Sequence, residues 1–116
     1  MSQVQIYHNP RCSKSRETLA LLEQNGVQAD VVLYLTTPPS AETLTAIVKK
    51  LGFTSARQLM RSKETLYKEL GLAQVNSEDE LIAVMIANPK LIERPIVIKG
   101  DKAALGRPPE QVLDIL

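Results

Sequence analysis

Cys12 is the single cysteine of the chain, and it falls where a thiol can do chemistry. Val4-Gln5-Ile6-Tyr7 alternates in the manner of a short strand, His8-Asn9-Pro10-Arg11 reads as a loop, and a helical pattern begins at Ser13. A residue between a strand end and a helix start meets unpaired backbone N–H groups and the positive end of the helix dipole, both of which favour an anion. The thiolate is such an anion, and it is the reactive form of cysteine. The same N–H groups suit an incoming oxyanion. Arg11, Lys14 and Arg16 are the only formally charged side chains before Glu17, so the surroundings of the sulfur are basic. One cysteine cannot form an intramolecular disulfide, so Cys12 is not a structural staple. The competing reading is an inert, half-buried thiol, since free cysteine is among the most buried residue types. Placement and the basic cluster favour a nucleophile.

The neighbours of Cys12 admit two roles each. Ser13 and Ser15 either donate hydrogen bonds to the thiolate or cap the helix. His8, the only histidine, either supports the thiolate as a donor or bonds the backbone of its loop. Zinc would need more histidine than the chain has beside its one cysteine, so no metal is expected. Arg61, Arg94 and Arg107 are the distant candidates. Arg94 and Arg107 each precede a proline at the edge of a late strand, where the chain returns toward the first loop. Guanidinium forks suit tetrahedral oxyanions such as arsenate or phosphate; taken singly, each arginine is equally a surface ion-pairing residue.

The elements that position these residues follow from periodicity and punctuation. A helix is expected from Ser13 to Asn25, with Leu19, Leu22 and Leu21 inward and Gly26 as its stop. Val31 to Leu35 reads as a buried strand, and strand–helix–strand at this spacing implies parallel pairing. After Thr37-Pro38-Pro39-Ser40 come short helices. One spans Ala41 to Leu51, a brief one opens at the capping-box pattern of Ser55 and Gln58, one spans Lys63 to Leu70, and one follows a second such pattern at Ser77 and Glu80. Pro95 to Lys99 returns to strand character, Gly100-Asp101 is a hairpin turn, and Ala103-Ala104-Leu105 is a partner strand. A last helix is expected with Pro108 in first position and Val112, Leu113 and Leu116 as its apolar stripe. The fold class is therefore α/β, a thioredoxin-like mixed sheet (β-α-β … β-β-α) with a helical subdomain inserted at about 41–90, in a single domain.

Bulk properties narrow the classes. The 116 residues suit one compact domain, and 44% hydrophobic content supplies a core. No apolar run approaches the roughly 20 residues that span a bilayer, and Met1-Ser2-Gln3 leads into a strand-like stretch without the pattern of a signal peptide. A cytoplasmic protein is expected. A net charge of +1 argues against bulk binding to nucleic acid or membrane.

Tyr7-His8-Asn9-Pro10-Arg11-Cys12-Ser13-Lys14-Ser15-Arg16, together with Glu93-Arg94-Pro95-Ile96-Val97 and Gly106-Arg107-Pro108, resembles the glutaredoxin-coupled arsenate reductase family, in particular a shorter bacterial branch. The resemblance covers essentially the whole chain. It implies that Cys12 is the nucleophile, that His8 supports it, that Arg94, Arg107 and Arg61 bind the anion, and that Pro95 is the cis-proline of the thioredoxin fold. It implies arsenate as substrate, glutathione as co-substrate with no bound cofactor, and a glutaredoxin as protein partner. The better-studied reductases read Cys-Gly-Thr-Ser-Arg and continue beyond the last helix. Ser13 and Lys14 change size and charge where a glycine would let substrate approach the backbone.

Two other functions remain in view. One is a thiol oxidoreductase acting on a different small substrate. The other is a regulator that docks on RNA polymerase, as some relatives of the family do; those usually carry a Cys-x-x-Cys switch, and here Ser15 fills the second position. A phosphatase-like arsenate reductase would need Cys-x5-Arg, and Thr18 stands at that arginine position.

Overall fold

The computed structural model describes residues 4–116; Met1-Ser2-Gln3, read above as leading into the first strand, lies outside the described residues. The chain divides into two compact units. One is the N-terminal part up to Thr37 with Arg94–Leu116, and the other is Pro38–Glu93.

The first unit carries a four-stranded mixed sheet in the order β2-β1-β3-β4. Strand β1 (Val4–Tyr7), helix α1 (Ser13–Gln24) and strand β2 (Ala29–Val32) form the expected βαβ unit, with β1 and β2 parallel and Tyr7 opposite Val32. Strand β3 (Ile96–Lys99) lies antiparallel to β1, and β4 (Lys102–Leu105) antiparallel to β3. The hairpin between them turns at Gly100, whose φ of 60° suits the first central position of a two-residue loop. Val4, Ile6, Leu22, Val97 and Val112 form the buried core of this unit, flanked by Leu19 and Leu21. Full burial of each such side chain contributes about 1.5–3 kcal/mol. Gly26, at φ 72°, ends the run of α1.

Two local expectations are corrected. The second strand is Ala29–Val32, not Val31–Leu35, and it is not buried: Val31, Leu33 and Leu35 are 46%, 44% and 40% exposed. It is an edge strand paired only to β1, and the chain turns away immediately after it, with the amides of Thr36 and Thr37 donating to the Leu33 carbonyl at 3.0 and 2.9 Å. The last helix begins at Pro109, with Pro108 as its N-cap, and it is a 3₁₀ helix over Pro109–Ile115. A period of three aligns 109, 112 and 115 rather than 112, 113 and 116. Pro109 and Val112 are accordingly buried and Leu113 is exposed.

The second unit is helical. It holds α2 (Ala41–Lys50), α3 (Thr65–Glu69) and α4 (Glu78–Ala87), with 3₁₀ turns at Ala56–Leu59, Leu72–Gln74 and Pro89–Leu91. Ser55 and Gln58 make the anticipated capping box, and Ser77 caps α4 by accepting from the Glu80 amide. Glu78 reaches back to the turn at 55–56, accepting from the Ser55 hydroxyl and the Ala56 amide, each at 2.7 Å. Arg57 donates to the Leu72 carbonyl at 2.9 Å, and also to Tyr67 and to the Val75 carbonyl. Among the described residues, no helix is long and apolar enough to cross a membrane.

Candidate active site

Cys12 is itself the N-cap of α1, in extended conformation (φ −96°, ψ 122°) and with no side-chain capping bond. Its own amide donates to the Asn9 carbonyl at 3.0 Å, and its carbonyl accepts from the Arg16 amide at 3.0 Å. The sulfur thus sits over the free amides of the first turn. It is nearly buried, at 9% exposure. Burial pushes the thiol up, but four contributions together outweigh it. They are a hydrogen bond from the Ser15 amide, the positive charge of Arg94, a hydrogen bond from the Lys14 amide, and a hydrogen bond from the Arg94 side chain. The net result is a thiol held below its ordinary range.

This lowering has a different origin from the basic cluster read in the sequence. Lys14 acts through its backbone N–H, while its ammonium lies 3.7 Å from Glu17 on the exposed face of α1. The Arg16 guanidinium donates to the Pro10 carbonyl at 3.2 Å. The cation that lowers the thiol is Arg94, from a segment 82 positions away.

Ser15 performs neither role proposed for its hydroxyl. It is fully buried, its amide serves the sulfur, and its Oγ lies 2.6 Å from His8 Nδ1 while accepting from the Asn9 amide at 3.0 Å. The direction of that bond follows the tautomer of His8, since the serine oxygen keeps both a proton to give and a second lone pair. Burial, followed by the nearby charge of Arg16, holds His8 below its usual pKa, so the ring is neutral near pH 7. His8 is further tied to β2 by its amide, which donates to the Val32 carbonyl at 2.9 Å. Asn9 completes the loop: its side-chain oxygen accepts from the Arg11 amide at 3.0 Å, the local bond that makes Asn-Pro a turn signal. Ser13 is exposed on the first turn of α1.

Arg94 precedes Pro95 through a cis peptide bond, and a second cis bond joins Arg107 to Pro108. Arg107 Nε donates to the Arg94 carbonyl at 2.9 Å. Between them sits Gly106, whose amide donates to the Pro95 carbonyl at 3.0 Å. A Cβ on Gly106 would collide with Thr18 Oγ1 and come within 2.6 Å of Pro95 Cγ. Thr18, fully buried, donates its hydroxyl to the Lys14 carbonyl at 2.8 Å. Gly106 and Thr18 therefore belong to the site's support, and sequence reading missed that role. The glycine preceding Arg107 was the available signal, because glycine is often placed where backbones approach closely.

Arg61 lies in the second unit. Its guanidinium is 2.6 Å from Glu64 and 4.0 Å from Glu93, and its Nη1 is 3.5 Å from the Lys90 carbonyl. Of the residues singled out in the sequence, Cys12, His8, Ser15, Arg94, Pro95 and Arg107 are drawn together within the first unit by the bonds described.

The family model described as the ArsC family matches residues 7–115. The chain is 64% identical to the uncharacterized protein YfgD of Escherichia coli K12, over 98% of this chain and 97% of that one. It is 56% identical to an arsenate reductase of Haemophilus influenzae, over 96% and 97%. Among solved structures, an arsenate reductase from Vibrio cholerae superposes with a TM-score of 0.96 at 56% identity, covering 99% of this chain and 98% of that one. A family model spanning most of the sequence, and relatives matched nearly end to end on a thioredoxin-like sheet, place the chain in the ArsC family.

Proposed function

We propose that this protein reduces arsenate to arsenite through the Cys12 thiolate, with glutathione as co-substrate and a glutaredoxin as the resolving partner. The observation that carries this reading is the sulfur of Cys12, held below its ordinary pKa by two amides and by Arg94 in spite of its burial. Relatives at 56% and 51% identity named arsenate reductase support the substrate.

The electron count shapes the cycle. Reducing arsenate takes two electrons, and the chain has one sulfur. Cys12 attacks arsenic, forming an S–As bond as an oxygen leaves as water. Glutathione attacks the same arsenic and displaces a second oxygen as water. A glutaredoxin thiolate then attacks the glutathione sulfur; the As–S bond to glutathione breaks, its electron pair stays on arsenic, and a glutaredoxin–glutathione disulfide forms. Water releases arsenite and returns the Cys12 thiol. Arg94 and Arg107 would neutralise the oxyanion, and the α1 amides would stabilise charge on the attacking sulfur. His8 and Ser15 would keep the loop in register.

Arsenate-dependent NADPH oxidation, in the presence of glutathione, glutaredoxin and glutathione reductase, tests the proposal. Turnover is expected with the native chain and none with Cys12→Ser, the hydroxyl being a far weaker nucleophile. Folded protein that shows no signal with arsenate would overturn this reading.

A further inference from the structure

The five exposed large hydrophobic side chains described are Val31, Leu33, Leu35, Leu70 and Leu113. Three of them follow one another at spacing two, where β2 runs into its turn. Leu33 and Leu35 form one wall of a pocket of about 360 Å³ whose other wall is the loop from His8 to Arg11. That loop is the one that closes on Cys12 through the Asn9 carbonyl. The two leucines are not loose ends. Tyr34 between them is 1% exposed and stacks on Tyr7 with ring centroids 6.4 Å apart. The Leu33 carbonyl accepts two amides and the Thr36 hydroxyl. The pair is therefore presented on a braced turn, beside the nucleophile loop, with exposed Arg11 at its rim and Lys14 and Arg16 on the adjoining helical turn.

We propose that this patch is the docking surface for the protein that delivers the resolving thiol. The partner would place an apolar side chain against Leu33 and Leu35 and set carboxylates opposite Arg11 and its neighbours. This rests on the reading that Cys12 depends on an external thiol. Arg11 can meet a carboxylate of glutathione, but the leucine wall offers its charged groups nothing and suits an apolar side chain instead. A folded partner can set an apolar anchor on the leucines and carboxylates against the basic rim at once, and that rim favours one acidic around its reactive cysteine.

The test isolates docking from arsenate chemistry. Cys12 is converted chemically to its mixed disulfide with glutathione. Reduced glutaredoxin attacks the glutathione sulfur, takes the glutathionyl group and frees the Cys12 thiol, and the second-order rate is measured. Leu33→Ser/Leu35→Ser is expected to slow this reaction about tenfold while leaving reduction by dithiothreitol within about twofold, and Leu33→Ala alone to give a smaller loss of the same selectivity. The native rate with glutaredoxin should fall with added salt and the dithiothreitol rate should not. An unchanged glutaredoxin rate overturns the proposal. So does an equal loss with both reductants, which would mean a perturbed Cys12. A change of sedimentation mass in the double variant also overturns it, because the patch would then be an interface between two copies. Selective slowing here with no arsenate turnover elsewhere would retain the docking surface and dismiss arsenate.

Discussion

Arg107 donates its Nε–H to the main-chain carbonyl of Arg94 at 2.9 Å, so the arginine that touches the sulfur and the arginine beyond it are joined through backbone. Their contributions nevertheless separate. Arg94 supplies both charge and a hydrogen bond to Cys12. Hydrogen bonds to charged groups contribute about 1.5–3 kcal/mol each, so Arg94→Ala should weaken arsenate binding roughly ten- to a hundredfold and raise the pKa of the thiol. Arg107→Ala should raise the KM for arsenate while leaving the thiol pKa near its native value. Lys90→Ala, on the surface, should do neither. Steady-state KM and the pH profile of alkylation read the two effects; equal thiol shifts in both arginine variants would contradict this division.

The thiol of Cys12 should alkylate with a midpoint below the ordinary value of about 8.5. Its folded pKa is depressed. The stability it contributes is therefore present above the unfolded pKa and lost as pH falls through the folded one. Cys12→Ser should remove that segment of the pH–stability curve and keep the fold, as checked by denaturation at a series of pH values. A midpoint at or above the ordinary value would refute the assignment of the donors.

Ser15→Ala should destabilise the first unit by about 1–3 kcal/mol, the cost of leaving buried polar groups unpaired, here the Asn9 amide and His8 Nδ1. His8 should titrate below 6.5 in NMR, chiefly from burial and secondarily from Arg16. Because its folded pKa is lowered, the stability that neutral His8 contributes is present above about 6.5 and is lost as pH falls through the folded value. Arg16→Ala should move the His8 titration up only part of the way to 6.5.

Gly106→Ala should lower stability by about 1–3 kcal/mol, the usual cost of overpacking. It should also raise the Cys12 pKa. The new methyl group would press on Thr18, whose hydroxyl holds the Lys14 carbonyl, and on Pro95 beside Arg94. Both neighbours adjoin donors to the sulfur. Adding Thr18→Ala should recover part of the loss. A lower melting temperature with an unmoved alkylation profile would make Gly106 a packing residue only.

Much of the scaffold was legible because its signals are local. Alternation in Val4–Tyr7, the helical period ended by Gly26, the capping box at Ser55 and the Gly100-Asp101 turn each act within a few residues. The misreadings came where tertiary placement decides. Val31 to Leu35 looks like a core strand by composition, yet it lies at and beyond a sheet edge. Likewise, the terminal segment has apolar residues compatible with either helical period, and packing chose the tighter one. At the site, the position of Cys12 was readable, but the cation acting on it comes from Arg94 rather than from Arg11, Lys14 or Arg16. No spacing rule along the first sixteen residues could reveal that.

The double engagement of Ser15 bears on how one-thiol and two-thiol enzymes are related by descent. Ser15 stands where a Cys-x-x-Cys motif would carry its second sulfur, so a single codon change would seem to convert one design into the other. The sulfur of a cysteine is larger than the hydroxyl oxygen and a weaker hydrogen-bond partner, and at this position it would replace the group that meets both His8 and the Asn9 amide. Ser15→Cys would thus supply a resolving thiol and unfasten the loop that presents the first one. Keeping that loop fastened after such an exchange would call for new partners for His8 and the Asn9 amide.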